Sequence, residues 1–292
     1  MKANKPSYKK GLSGALVLAG TALVTYSYFQ NSKAFADQSK EALSPKEFKE
    51  FTLFHKHELT RDTSFYRFSL GDNEVSNTPT ASCVLVQTEI DGKNEIRPYT
   101  PVSKDGSKYL DFVVKSYPNG KISKHFSDLI PGDTLKIQGP HVTLPYTPNM
   151  KKHIGMIAGG TGITPMYQVI RTILENPQDH TKITLLFGNI TEQDIILKKQ
   201  LDELVSKHHE RFTVHYMVDR PSSHWKGLSG YVTPQMAKLL MPPPSDDNLV
   251  LVCGPPPMLN VLAGPKAPNY QQGELKGILK DLGYNESQVH KF

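Results

Sequence analysis

The clearest chemical signal in the sequence is a glycine turn that directly follows a short apolar run. Residues 154–158 read Ile-Gly-Met-Ile-Ala and predict a buried parallel strand. The turn at residues 159–162 reads Gly-Gly-Thr-Gly, and Pro165 then suits the first turn of a helix. This order predicts a phosphate cradle, because glycines let a ligand approach the backbone and free N–H groups favour negative charge. The spacing differs from G-x-G-x-x-G, so the turn alone does not establish nucleotide binding.

A second group of functional side chains lies at residues 97–101, which read Arg-Pro-Tyr-Thr-Pro. Arg97 offers a planar, permanently charged fork for phosphate oxygens, Tyr99 offers a flat ring with a hydroxyl group, and Thr100 adds a short hydrogen-bonding group. Because side chains alternate along an extended chain, Arg97 and Tyr99 share one face. A strand end with a solvated arginine explains these five residues equally well when they are considered alone.

Two further positions each fit two interpretations, and a third has one when it is considered alone. Ser123, shortly after Gly120, predicts the start of a helix whose backbone donors hold an anion, although an isolated serine is more often a plain N-cap. Asp219 can accept a hydrogen bond from a ribose 2′-hydroxyl and repel a 2′-phosphate, whereas an isolated loop aspartate is more often simply solvated. Cys253, considered alone, is typical of a small buried apolar residue.

The elements that carry Arg97 and Ser123 belong to a predicted β-domain. Between residues 48 and 138, stretches rich in aromatic and β-branched residues alternate with turn signals such as Pro-Gly-Asp at 131–133. Short strands punctuated by turns predict a closed antiparallel β-barrel, which we place at residues 48–147. The predicted strands are residues 48–59, 64–70, 83–88, 96–100, 109–115 and 134–138.

The second half of the chain, residues 148–292, alternates strand and helix patterns. This alternation predicts an α/β domain with a doubly wound parallel sheet, which binds ligands at the carboxyl ends of its strands. The candidate groups at such ends are Thr161, Thr164, Gly188, Asn189, Asp219, Cys253, Gly254 and Pro255. The predicted strands are residues 154–158, 182–187, 213–218 and 249–253, and the predicted helices are residues 165–175, 194–208 and 233–240.

The composition argues against several classes of function. The chain has 292 residues and a net charge of +6, but residues 1–36 hold five lysines and no acid, which leaves +1 for the remainder. A nearly neutral body argues against a nucleic-acid-binding surface. The two cysteines, Cys83 and Cys253, lie in separate halves of the chain, so neither a structural disulfide nor a metal site is predicted.

The N-terminal segment predicts membrane attachment. Residues 12–29 follow a basic start and carry no charge over a length that is just sufficient to span a bilayer. Residues 34–36, Ala-Phe-Ala, imitate the cleavage site of a secretory signal peptide, and lysines without acids fit a mitochondrial leader. The length of the apolar run favours an uncleaved transmembrane anchor within residues 1–36, followed by a linker at 37–47, with a mitochondrial address.

Four motifs occur in the order and spacing typical of NADH–cytochrome b5 reductases, which belong to the ferredoxin–NADP reductase superfamily. In chain order the motifs are Arg97-Pro98-Tyr99-Thr100, Gly120-Lys121-Ile122-Ser123, residues 159–166 and Cys253-Gly254-Pro255-Pro256-Pro257-Met258. The resemblance covers residues 51–292, although residues 71–82 do not match the common animal pattern. The anchor and residues 272–275 resemble most the fungal mitochondrial branch. That branch implies a mitochondrial outer-membrane enzyme, or a processed form in the intermembrane space.

The resemblance implies a flavoenzyme that uses FAD and NADH and has cytochrome b5 or a similar haem protein as its partner. A hydride would pass from NADH to flavin N5, and single electrons would then pass to the haem. The resemblance also implies that Arg97 holds the FAD pyrophosphate and that Asp219 selects NADH. Thr100, Thr164 and Cys253 would contact the reacting rings. The implied cofactor-binding residues are Arg97, Pro98, Tyr99, Thr100, Val114, Lys115, Gly120, Lys121, Ile122, Ser123, Gly160, Thr161, Thr164, Asp219, Cys253, Gly254, Pro255 and Met258.

Other functions fit the same sequence. An NAD(P)H reductase for a quinone or another haem protein would carry the same motifs, because a nearly neutral body hides any local partner surface. A membrane-tethered, redox-inactive nucleotide sensor would use the phosphate cradle without electron transfer. A secreted flavoprotein would differ only in its leader.

Overall fold

Fourteen strands and six α-helices make up the part of the chain that the computed structural model describes, residues 40–292. The strands are β1 (Lys40–Glu41), β2 (Lys49–Thr60), β3 (Thr63–Ser69), β4 (Glu74–Val75), β5 (Ser82–Ile90), β6 (Lys93–Tyr99), β7 (Tyr109–Lys115), β8 (Thr134–Val142), β9 (His153–Gly159), β10 (Lys182–Asn189), β11 (Phe212–Val218), β12 (Leu228–Ser229), β13 (Asn248–Cys253) and β14 (Val289–Lys291). The helices are α1 (Lys121–Asp128), α2 (Ile163–Glu175), α3 (Lys198–His208), α4 (Pro234–Leu240), α5 (Pro256–Leu262) and α6 (Gly277–Asp281).

The first sheet forms where apolar and polar residues alternate along the strands. In β3, for example, Tyr66 and Phe68 are buried, and Arg67 between them is partly exposed. The sheet has six strands in the order β6-β5-β8-β2-β3-β7, and every neighbouring pair is antiparallel. The predicted antiparallel β-domain is therefore confirmed.

Helix α1 completes this first sheet. Within residues 40–292 no hydrogen-bonded ladder joins the two end strands, β6 and β7. Helix α1 contacts both of them, and its Phe126 ring lies 5.1 Å from that of Tyr66 and 6.1 Å from that of Phe112, centroid to centroid. Each such aromatic pair contributes about 0.5–1.5 kcal/mol beyond the burial of its area. The predicted closure of the barrel by strand pairing is therefore corrected: the antiparallel sheet is open between β6 and β7, and a helix packs across the opening.

The second sheet is parallel throughout. Its order is β12-β11-β10-β9-β13-β14, which confirms the predicted doubly wound arrangement. Strand β9 lies in the middle, and every residue after His153 in it is buried. Apolar clusters cover both faces of this sheet, which explains why the strand is a continuous apolar run rather than an alternating one.

One predicted helix begins later than expected. The apolar spacing predicted a helix from residue 194, but α3 starts at Lys198. Asp194 instead ends a short 3₁₀-helix, where its carboxylate accepts a hydrogen bond from the Thr191 backbone N–H at 2.9 Å. Leu197 follows with a left-handed φ of 57°, which interrupts the α-helical path. Local capping therefore outweighs the apolar periodicity at this point.

The two sheets share an apolar seam. Ala81, Val102 and Val113 of the first domain pack in one cluster with Ile163 and Met166 of helix α2. Residues Glu41–Phe292 accordingly form a single compact unit. The domain boundaries inferred from the sequence remain predictions.

The structure does not test the predicted transmembrane anchor. Residues 12–29 lie outside the described part of the chain. Between residues 40 and 292, no helix combines the length and hydrophobicity that crossing a membrane requires.

Candidate functional site

The candidate site lies where the strand order of the parallel sheet reverses. After β9 the chain moves outward through β10, β11 and β12, and it later returns to the other side of β9 with β13. Ala158 and Cys253 are paired across β9 and β13, so the two strands end side by side. Open α/β sheets bind ligands in the crevice outside such a switch point. The fold therefore brings the turn at 159–162 beside residues 253–255, as predicted.

The backbones of these two segments touch at glycine. A Cβ atom on Gly162 would lie 2.2 Å from the carbonyl oxygen of Cys253, and one on Gly254 would lie 2.7 Å from Met258 Sδ. Gly160 has a left-handed φ of 54°, and in the described structure nothing lies within 4 Å of where its Cβ would be. Glycine at 162 thus permits close backbone packing, whereas glycine at 160 permits the turn and leaves an open surface.

The turn leads into helix α2 without a side-chain cap. Neither the 3₁₀-helix Gly160–Gly162 nor α2 has a capping side chain among the residues described. Thr164 is 7% exposed, and its hydroxyl donates to the Thr161 carbonyl at 3.1 Å. The backbone N–H groups at the start of the turn are consequently available to an anion.

The first domain contributes a cluster of charges. Arg97 donates to the Ile96 carbonyl at 2.7 Å, and its guanidinium lies 3.4 Å from Glu95. Lys121, at the start of α1, pairs with the same carboxylate. The hydrogen bond from Lys121, together with the charges of Lys121 and Arg97, holds the pKa of Glu95 below its usual range. Two cations from separate elements therefore converge on Glu95, and no local sequence pattern indicated that Glu95 joins them.

The N-terminus of α1 lies beside these cations. Gly120 is the N-cap residue, and no described side chain caps this helix. The Ser123 hydroxyl accepts from the Tyr117 N–H at 3.2 Å and donates to the Gly120 carbonyl at 3.2 Å. Ser123 is therefore not the N-cap residue that its type alone suggested. Backbone N–H groups of residues 121–123, rather than the serine hydroxyl, face the open end of the helix.

Residues 99 and 114–115 flank helix α1. The Tyr99 ring lies 4.9 Å from that of Phe126, and burial raises the pKa of the Tyr99 phenol, which stays protonated. Val114 is buried on β7. Lys115 pairs with Asp62, with the Nζ and carboxylate oxygen 2.9 Å apart, and its side chain is 16% exposed, against 55% for Arg97 and 50% for Lys121, so it is less accessible to a ligand than those two cations.

Asp219 follows β11 at the edge of the same crevice. Its N–H donates to the Asn189 carbonyl at 2.9 Å, and its carboxylate lies 3.9 Å from Arg220 Nε. The amide oxygen and nitrogen of Asn189 are both buried, and neither has a hydrogen-bond partner within the described residues. A buried amide without partners is costly unless a ligand completes it. The crevice thus fits a dinucleotide that carries both donors and acceptors.

The thiols at the site are not nucleophiles. Burial raises the pKa of Cys253 to about 12 and raises that of Cys83, while the nearby Lys266 ammonium opposes both shifts. Both thiols stay protonated at neutral pH. Lys266 itself went unnoticed in the sequence, because nothing in its local pattern indicates that it approaches both cysteines. Elsewhere in residues 40–292, no group of three or more His, Cys, Asp or Glu residues is arranged to hold a metal ion.

Comparison with known protein families assigns both halves of the chain. Residues 50–146 match an oxidoreductase FAD-binding domain, and residues 156–263 match an oxidoreductase NAD-binding domain. Together the two matches cover more than half of the chain. The two matched ranges form opposite sides of the apolar seam between the two sheets.

Similar proteins include a plant and a fungal relative and one solved structure. The chain is 44% identical to an Arabidopsis thaliana NADH-cytochrome b5 reductase-like protein over 98% of this chain and 93% of the relative. It is 43% identical to an Aspergillus clavatus NADH-cytochrome b5 reductase 2 over 96% and 89% of the two chains. The cytochrome b5 reductase domain of Ulva prolifera nitrate reductase matches with a TM-score of 0.76 and 33% identity, over 87% of this chain and all of that domain.

Proposed function

This chain belongs to the NADH–cytochrome b5 reductase family, and we propose that it passes electrons from NADH through FAD to cytochrome b5. The observation that carries the proposal is the meeting of residues 159–162 and 253–255 at the switch point of the parallel sheet, together with the convergence of Arg97 and Lys121 on Glu95 in the first domain. When bound, FAD accepts a hydride from NADH at N5 and releases electrons one at a time.

The first domain would hold FAD through complementary charge and shape. We assign Arg97, Lys121 and the free N–H groups at the start of α1 to the two negative charges of the pyrophosphate. Glu95 holds the two cations together. Tyr99 and Thr100 would contact the flavin, and Val114 would add an apolar wall.

The second domain would hold NADH against its backbone. Gly160 and Thr161 at one strand end and Gly254, Pro255 and Met258 at the next would line the dinucleotide. Thr164 and Cys253 would lie against the reacting rings. Because hydride transfer needs alignment and exclusion of water rather than a general base, a protonated thiol and a buried hydroxyl suit this position.

Stopped-flow spectroscopy of the holoenzyme tests this function. Anaerobic mixing with NADH should bleach the flavin absorbance, and a second mixing with oxidised cytochrome b5 should restore it as the haem is reduced. A flavin that NADH does not bleach would support a redox-inactive sensor. Bleaching followed by transfer to a quinone or another haem protein, but not to cytochrome b5, would support the other reductase.

Asp219 is predicted to select NADH over NADPH. At about 4 Å, two like charges repel by about 1 kcal/mol even in bulk water, and a lost hydrogen bond adds about 0.5–1.5 kcal/mol. Asp219→Thr should therefore raise kcat/KM for NADPH by roughly tenfold or more, with a modest fall for NADH. Steady-state kinetics with both nucleotides measures this ratio.

A matched control for Asp219 lies at the opposite end of the sheet. Asp246 is exposed and precedes β13, so Asp246→Thr should leave the nucleotide ratio unchanged. Arg220 is 77% exposed beside Asp219 and could pair with a 2′-phosphate in the parent protein. If Asp219→Thr leaves the ratio of kcat/KM for NADPH and NADH unchanged, Asp219 is an ordinary solvated loop aspartate.

We also propose that residues 1–36 attach the enzyme to a mitochondrial membrane. The uncharged run 12–29 and the basic start support an anchor, and the fungal relative from Aspergillus clavatus is 43% identical over 96% of this chain. The proposed location is the outer membrane. A processed form in the intermembrane space is the outcome expected if the leader is cut after residue 36. Fractionation of mitochondria, with N-terminal sequencing of the protein, distinguishes these locations.

Removing residues 1–36 should separate membrane attachment from catalysis. The truncated protein should remain in the supernatant after ultracentrifugation, retain FAD, and reduce ferricyanide with NADH at the rate of the full-length protein in detergent. The reason is that every cofactor-binding residue proposed above lies between residues 97 and 258. Loss of flavin or of folding in the truncated protein would contradict this separation.

A further inference from the structure

We propose that the chain has a second binding site, for a small oxyanion, in a polar groove between helix α2 and the loops of the first domain. The groove has a volume of about 330 Å³. Thr78, Thr80 and residues 103–105 line one wall. The other wall is formed by the C-terminal half of α2 and the residue after it, namely Gln168, Arg171, Thr172, Glu175 and Asn176. None of these residues belongs to the FAD and NADH sites assigned above, so the proposal goes beyond that function.

Two hydrogen-bond donors in this groove lack an acceptor. The Thr78 side chain is 2% exposed, and its Oγ1 has no hydrogen-bond partner in the described part of the chain. Arg171 Nε is likewise buried and unpartnered within residues 40–292. Glu175 comes nearest to it, at 3.6 Å, which is too long for a hydrogen bond. Buried donors of this kind are rare in folded proteins, because each one has lost its water without gaining a partner.

The surrounding bonds hold both donors in place. The Thr78 N–H donates to Asp105 Oδ1 at 2.8 Å, which fixes the loop while leaving the hydroxyl free. Arg171 donates through NH1 to the Val102 carbonyl at 2.6 Å, and its guanidinium lies over the Tyr167 ring at 5.3 Å. The guanidinium is therefore oriented by groups outside the groove. Its Nε–H has no hydrogen-bond acceptor within residues 40–292.

The free groups favour an oxyanion as the ligand. A cationic N–H and a hydroxyl together suit a carboxylate or phosphate oxygen, which accepts charge-assisted hydrogen bonds. The two acids of the groove are already engaged: Asp105 accepts from two backbone N–H groups, and Glu175 pairs with Lys104 at 2.8 Å. Lys104 lies at the exposed rim, where Glu175 balances its charge. The volume suits a compact ligand such as inorganic phosphate or a small polycarboxylic acid.

The groove is connected to the candidate active site through one helix. Thr164 lies in the first turn of α2 and Arg171 seven residues later, about 10 Å along the helix axis. Hydrogen bonds across the seam join Thr80 to Thr172 at 2.7 Å and the Ser82 N–H to Gln168 at 3.1 Å. An oxyanion bound to Thr78 and Arg171 would add a further link between the two domains that must align NADH with FAD. Residues 71–82, which the family resemblance leaves without a role, supply one wall.

Calorimetry on the holoenzyme tests the site independently of turnover. Phosphate and citrate are titrated separately at constant ionic strength, with chloride as the balancing anion. Saturable binding of one or both is expected, with an affinity at least tenfold weaker in Thr78→Val and in Arg171→Lys, which keeps the charge but lacks Nε–H. Lys152→Met removes an exposed ion pair elsewhere, with Asp247 at 2.7 Å, and should bind like the parent. The better of the two probes distinguishes phosphorylated from carboxylate ligands.

Three outcomes would overturn the proposal. If neither anion binds saturably, the groove holds water only. If Thr78→Val and Arg171→Lys bind as tightly as the parent, the ion lies elsewhere and is adventitious. If Lys152→Met loses affinity to the same extent, the effect is one of overall charge. None of these outcomes depends on NADH oxidation, so a failure here is distinct from a failure of the proposed reductase function.

Discussion

Replacing Gly162 with alanine is expected to destabilise the fold by about 3 kcal/mol and to lower the rate of flavin reduction by NADH roughly 100-fold. The added Cβ would lie 2.2 Å from the Cys253 carbonyl oxygen, 2.5 Å from its carbon and 2.9 Å from the Gly254 nitrogen. All three atoms belong to the backbone, so no side-chain rotation can relieve the overlap. The two strand ends must move apart, and they are the elements proposed to align NADH.

Gly160→Ala is the matched control for this effect. It lies two residues away in the same turn, and within the described residues its Cβ would meet nothing closer than 4 Å. Its cost to folding stability arises only from the left-handed φ of 54° and amounts to about 1–2 kcal/mol. Urea unfolding of both holoproteins gives the stability difference, and stopped-flow mixing with NADH gives the rates. Equal losses of folding stability in the two variants would show that close backbone packing at Gly162 is not the cause of the destabilisation.

The sequence was most informative where backbone conformation and residue type are directly linked. The apolar run 154–158 predicted a buried parallel strand, and the glycines after it predicted a tight turn, so the cradle at 159–162 was predictable. Alternation in β3 likewise predicted an antiparallel sheet. Family motifs then placed residues 253–255 beside the cradle, which the pairing of Ala158 with Cys253 confirms.

What could not be predicted depends on contacts between segments far apart in the chain. Lys291 has the composition of a surface residue, yet it is 2% exposed. Its ammonium lies 3.1–3.3 Å from four backbone carbonyl oxygens, of Ala263, Pro265, Gly273 and Glu274, which share its three N–H donors. No local sequence pattern indicates that these backbone carbonyls, 17 to 28 residues upstream, surround the ammonium of Lys291. The pairing of Glu95 with Lys121 and the groove at Arg171 escaped notice for the same reason.

The start of helix α3 shows a different limit. The apolar spacing from residue 195 onward fits a helix, but Thr191 and Asp194 cap a separate 3₁₀ turn, and Leu197 adopts a left-handed φ. Ile195 and Ile196 are buried without being helical. Burial therefore explains the apolar spacing here, and the helix that it predicted begins only where the short turn has ended.

Arg97→Ala is expected to weaken FAD binding by about 1.5–3 kcal/mol, which corresponds to a Kd roughly 10- to 150-fold higher. In the structure Arg97 is 55% exposed and is held only by the Ile96 carbonyl and, at 3.4 Å, by Glu95. Neither contact buries the guanidinium, so its loss should cost the fold little. The proposed role at the pyrophosphate makes FAD affinity the quantity that changes.

Flavin fluorescence during titration of the apoprotein with FAD measures this change. Arg61→Ala is the matched control, because Arg61 is also exposed and lies in the turn between β2 and β3 of the same sheet. It removes the same charge and should leave the FAD Kd within twofold of the parent value, since long-range attraction between exposed charges is largely screened beyond about 10 Å at 0.1 M salt. Arg97→Ala protein that keeps full FAD occupancy after dialysis would contradict the assignment. An equal loss in both variants would mean that net charge, rather than a charge-assisted contact at residue 97, governs flavin affinity.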